Sequence, residues 1–190
     1  MKLVRTPFCL VLLLSAAVFL FLPAAATAQE EFKPITVFLV RHAERADEPR
    51  QDPPLVEKGV ARSQELARLL SNSGIKAIYT SQFQRTKLTA EPIAKQLGVT
   101  VTSMTLKSNP ANPRQVAEES TAEVTNKILA NPGQNALVVG HSNSIPDVIK
   151  MLGGDVVPTI DEKTFNDLFI VTVFAKNKAR VVHLKYGNAE

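Results

Sequence analysis

Two of the three histidines in this 190-residue chain stand directly beyond short apolar runs, His42 after Ile35 to Val40 and His141 after Ala136 to Gly140. Arg41 adjoins the first of them, and Arg85 follows a third such run that ends at Thr80-Ser81. Guanidinium forks give bidentate, permanently cationic contacts to phosphate oxygens, and backbone N–H groups at a helix start near Arg85 or Asn143 add to them. Phosphoryl transfer is mostly a matter of positioning and charge stabilisation, so several cations around one phosphoryl group make a metal dispensable. An attacking imidazole must be neutral, and crowding by two arginines disfavours its protonated form. Spacing leaves open which of His42 and His141 attacks.

These residues converge only if the elements before them lie side by side. Ile35 to Val40, Ile75 to Tyr79, Val99 to Thr102 and Ala136 to Val139 read as strands, the first as a strand buried on both faces. Helical patterns alternate with them: Glu57 to Leu70 with Gly74 at the expected C-cap, Gln84 to Leu97 stopped by Gly98, Val116 to Leu129, and Ile145 to Leu152. Pro92 inside the second is a place for a bend. This alternation predicts an α/β fold, a three-layer α/β/α sandwich with a mostly parallel central sheet. Leu168 to Ala175 and Ala179 to Tyr186, joined by Lys176-Asn177-Lys178, are too close for a crossover helix and predict a terminal hairpin. Lys107 to Pro113 and Asp47 to Pro54 read as surface loops. In open α/β sheets the ligand site lies beyond the C-terminal strand ends, where the histidines and arginines fall.

Arg41-His42-Ala43-Glu44 resembles the Arg-His-Gly or Arg-His-Ala signature of the histidine phosphatase superfamily, whose fold is the phosphoglycerate-mutase-like one. The resemblance continues in order through Leu55 with Glu57-Lys58-Gly59, Thr80-Ser81 with Arg85, Thr86 and Thr89-Ala90, and Gly140-His141-Ser142. It implies that His42 is the nucleophile and becomes a transient phosphohistidine, and that Arg41, Arg85 and His141 bind the phosphate. It also implies that water releases the phosphate with no cofactor and no metal. The family's acids have no counterpart here: Met104 to Gln115 contains no acidic residue, and Ser142 stands where the acid phosphatase branch carries an aspartate. Glu44 is therefore the candidate for acid/base work, with Glu118 and Glu119 behind it.

The remaining polar residues have plainer readings. Ser142 and Asn143 fit caps of the following helix, Arg45 a solvated charge within reach of substrate, His183 a structural residue of a terminal strand, and Asp52 and Asp147 loop and helix positions.

With 45% hydrophobic residues, the chain suits one globular core rather than two. Lys2 and Arg5, the apolar run Phe8 to Leu22 and the small residues Ala26-Thr27-Ala28 form a signal-peptide pattern, with cleavage expected after Ala28 and a domain over 29–190. The run is shorter than the roughly 20 residues of a membrane span, so no stable membrane insertion is expected after cleavage, and the protein is expected in the periplasm or secreted. Cys9 is the one cysteine, which leaves residues 29–190 without thiol catalysis, thiolate metal ligands or disulfides. The net charge of +4 falls to +2 without Lys2 and Arg5, and no Lys/Arg run tracks nucleic acid. The expected partner is a phosphorylated small molecule or glycan.

Three functions fit these residues. The first is a phosphatase acting on phosphomonoesters or phosphohistidine. The second is a non-catalytic phosphate or phospholigand binder of the same fold, which binds phosphate and traps no phosphoenzyme. The third is a metallohydrolase using His42, Glu44 and His141, in which the arginines repel the cation.

Overall fold

The structure, a computed structural model, describes residues 32–187, so the expected signal segment at 1–28 and its cleavage point lie outside the described residues. The chain enters β1 (Ile35–Arg41), α1 (Glu57–Leu69), β2 (Ile75–Ser81), α2 (Gln84–Leu97) and β3 (Val101–Met104) in turn. A small hairpin, β4 (Ser108–Asn109) and β5 (Asn112–Val116), precedes α3 (Glu118–Leu129), β6 (Asn135–Gly140) and α4 (Ile145–Met151). The terminal hairpin is β7 (Asp167–Ala175) with β8 (Lys178–Lys185).

The main sheet has the order β3-β2-β6-β1-β7-β8. Its first four strands are mutually parallel, whereas β7 runs antiparallel to β1 and β8 antiparallel to β7. It is therefore mixed and mostly parallel. Along β1, Ile35, Val37 and Leu39 enter one core with Val124 and Ile128 of α3 and Ile145 and Ile149 of α4. The alternate residues Phe38 and Val40 enter a second core with Leu66 of α1 and Ile93 of α2. A strand covered by helices on both faces has no need of a polar face, which explains its unbroken apolar run. Each fully buried Leu or Ile there stabilises the fold by about 1.5–3 kcal/mol.

Two local expectations are corrected. Residues expected as surface loop after Lys107 form the β4–β5 hairpin, anchored where Gln82 accepts from the Leu106 N–H at 2.9 Å and donates to its carbonyl at 3.2 Å. Leu70, not Gly74, is the C-cap of α1, and Gly74 (φ 68°) serves the turn into β2. Pro92 lies inside α2, whose helix runs unbroken from Gln84 to Leu97.

Candidate active site

The parallel strands end together, so the residues just past them share one edge of the sheet. Arg41 pairs with Gly140 in register, and the His42 N–H donates to the Gly140 carbonyl at 3.0 Å. The rings of His42 and His141 lie 5.3 Å apart, centroid to centroid. Gly140 admits the turn that follows, because a Cβ there would come within 2.8 Å of both Ser144 Oγ and Ile145 Cδ1. Ser144 Oγ accepts the His141 N–H at 2.9 Å and fixes the backbone of that histidine.

His42 is 3% exposed, and its Nδ1 lies 2.8 Å from the Ala43 carbonyl. A carbonyl only accepts, so Nδ1 carries the hydrogen and Nε2 keeps the lone pair. Burial lowers the pKa of His42, the hydrogen bond to Ala43 opposes that, and the charges of Arg41, Arg85 and Arg45 lower it further, to about 3. Burial likewise lowers that of His141, helped by His42, Arg85 and Arg41, to about 2. The sequence pointed to crowding by arginines as the reason for neutrality; burial is the larger cause.

Arg41, His42, Arg85 and His141 all line one cleft of about 280 Å³, slightly below the roughly 300–1,000 Å³ of drug-sized sites, which suits a phosphoryl group on a small leaving group. Arg45 and Lys107 add positive charge to its walls. Arg41 Nη1 donates to the carbonyls of Asp161 at 3.0 Å and Thr164 at 3.2 Å, and its guanidinium carbon lies 4.3 Å from the centre of the Phe165 ring. Arg85 stacks over Phe83 at 4.2 Å and sits 4.0 Å from Asp52, whose Oδ1 accepts the Gln84 N–H at 2.8 Å. Asp52, read as a plain loop residue, thus steadies the start of α2. Burial and the neighbouring Arg45 lower the pKa of Arg85, while Asp52 opposes them.

The acid/base expectation for Glu44 is corrected. Its carboxylate does not line the cleft; it is held by Arg62 Nε at 2.9 Å and Nη2 at 2.8 Å, with Lys58 Nζ at 3.5 Å. Burial raises its pKa, but the hydrogen bonds and charge of Arg62 outweigh that and lower it, the wrong direction for a proton donor. The motif glutamate instead ties the loop after β1 to α1. Gly59 belongs to the same joint, since a Cβ there would meet the Glu44 carbonyl at 2.2 Å. The His42, Glu44 and His141 metal set is therefore not assembled, and among the described residues no group of three or more His, Cys, Asp or Glu is arranged to hold a metal ion.

Glu118 lies in a separate cleft with Asp147 and Lys150, and Glu119 does not line the His42 cleft. Ser142 and Asn143 are not helix caps: Ser142 Oγ donates to Glu162 Oε1 at 2.7 Å, and Asn143 Nδ2 donates to the Arg114 carbonyl at 2.9 Å, tying down the β4–β5 hairpin. His183 stacks on Phe169 at 4.5 Å and pairs with Asp167, away from the cleft. Sequence reading missed Phe83, Lys107, Phe165 and Glu162. Only Phe83, beside Ser81 and Arg85, stood near a motif.

Comparison with known proteins follows the same lines. The model of the histidine phosphatase superfamily (branch 1) matches residues 37–107. A phosphoglycerate mutase from Bacillus anthracis superposes with a TM-score of 0.61 at 18% identity, covering 82% of this chain and 93% of that one. The protein histidine phosphatase SixA, solved with tungstate, gives 0.58 at 17%, covering 80% and 95%. A mycobacterial glucosyl-3-phosphoglycerate phosphatase gives 0.58 at 13%, covering 82% and 100%. At such identities the likeness is one of fold. A sequence search among curated proteins finds no match. From β1 past β3 the chain is thus similar to the histidine phosphatase superfamily, and its sheet has the phosphoglycerate-mutase-like fold.

Proposed function

We propose that the protein is a phosphatase that hydrolyses phosphomonoesters, or phosphohistidine, through a phosphohistidine intermediate on His42 and without a metal. The observation that carries this reading is the 2.8 Å contact of His42 Nδ1 with the Ala43 carbonyl, which makes Nε2 the nucleophilic nitrogen in a cleft shared with Arg41, Arg85 and His141. The arginines bind the equatorial oxygens and offset the charge that builds on them as the P–O bond breaks. The names of the superposed phosphatases support the reaction class. The leader pattern at 1–28 supports a site of action outside the cytoplasm, on small phosphoesters or glycan phosphates.

The binding-protein reading draws support from Glu44, whose carboxylate is committed to Arg62 rather than to the cleft. Hydrolysis of an aryl phosphate, with and without EDTA, separates the two. Chelator-resistant turnover that disappears in His42→Ala is the expected result. Tight phosphate binding with no turnover would favour the binder, and loss of activity to chelator with recovery on zinc would favour a metallohydrolase.

A further inference from the structure

Glu162 is the one carboxylate lining the cleft among the described residues. It stands in the segment between α4 and β7, 20 residues beyond Ser142 and 121 beyond Arg41. Its Oε2 accepts from Arg41 Nη2 at 3.2 Å, and its Oε1 accepts from Ser142 Oγ at 2.7 Å. The segment is fixed from beneath. Arg41 Nη1 donates to the carbonyls of Asp161, Glu162 and Thr164, and Phe165 packs against both Arg41 and the His42 ring, 5.9 Å away. The arginine beside the nucleophile thus doubles as the anchor that brings a carboxyl group to the mouth of the cleft.

We propose that Glu162 is the proton donor to the leaving group, an inference that rests on the phosphatase reading above. The other carboxylates nearby are committed elsewhere: Glu44 to Arg62 and Lys58, and Asp52 to the start of α2 and Arg85. Glu162 is well placed by chemistry as well as position. A phosphoryl group entering beside it competes for Arg41 and leaves the Glu162 carboxyl facing the leaving oxygen. The side chain is 79% exposed, so it exchanges protons with water between turnovers. Ser142 holds one carboxyl oxygen and acts as a positioning residue.

The step balances. His42 Nε2 forms the N–P bond as the ester P–O bond breaks, and the leaving oxygen takes the Glu162 proton. In the second half, the oxygen of water bonds to phosphorus, the N–P bond breaks, and one water proton returns to the Glu162 carboxylate. Inorganic phosphate leaves and both side chains are restored.

The test is Glu162→Gln assayed on two substrates, an alkyl phosphate with a basic leaving oxygen and p-nitrophenyl phosphate, whose leaving group needs little protonation. The expected result is a loss of about 100-fold or more in kcat/KM on the alkyl ester and of no more than about 10-fold on the aryl ester. A melting temperature within a few degrees of the native one shows that the variant is folded. If that is not met, Glu162→Asp is used and must show the same substrate-dependent loss. Equal losses on both substrates, or none on the alkyl ester, overturn the assignment while leaving the phosphatase reading intact. Absence of turnover of both substrates by the native protein overturns both.

Discussion

Ser81 Oγ lies 2.9 Å from His141 Nε2 and 2.9 Å from Thr86 Oγ1, while Thr86 donates to the Phe83 carbonyl at 2.8 Å. The end of β2 and the first turn of α2 thereby hold the second histidine by its Nε2. Ser81→Ala is expected to lower kcat about 10-fold through a misplaced ring. It also costs about 1 kcal/mol of stability, the net worth of one hydrogen bond. Steady-state kinetics beside thermal melts check this; a lower melting temperature with native kcat would mean that Ser81 only supports the fold.

Stability is expected to fall as pH falls from about 6.5 toward 3. His42 and His141, held down to about 3 and about 2 in the folded protein, take up protons only on unfolding in that range. The unfolded state then binds more protons, so stability is complete above the ordinary histidine pKa of about 6.5 and is lost below it, by several kcal/mol. Denaturant melts at a series of pH values check the slope, which should shrink in His42→Asn. A flat profile between pH 6.5 and 4 would contradict the burial argument.

Glu44→Gln is expected to destabilise the protein by about 3–5 kcal/mol, because Arg62, whose side chain is 4% exposed, loses the carboxylate that binds its Nε and Nη2. Turnover per folded molecule is expected to stay within about twofold, since proton donation from other sites is worth far more than this when lost. Urea titration and active-site-normalised kcat provide the check. A folded Glu44→Gln protein that has lost most of its turnover would return Glu44 to the catalytic set.

What the sequence revealed and what it hid divide along physical lines. The helices at Glu57 and Gln84 and the strands at Ile35 and Ile75 begin where their apolar periodicity begins, because both faces of this sheet are covered and the pattern is unambiguous. The convergence of Arg41, His42, Arg85 and His141 followed from parallel strands ending at one edge. Glu162 and Phe165 carried no such signal: their segment has no periodicity, and long-range contacts with Arg41, His42 and Ser142 hold it at the cleft. Glu44 misled for the opposite reason. Its place beside the motif histidine suggested chemistry, but the loop after His42 turns its side chain to Arg62 on α1.

The most direct test of the central claim is rapid quenching of the protein mixed with a phosphorus-labelled ester, followed by mapping of the label. The expected product during turnover is an acid-labile, alkali-stable phosphohistidine on the peptide bearing His42, absent from His42→Ala. Steady turnover with no trapped label, or label on His141 instead, would contradict the assignment of His42 as nucleophile.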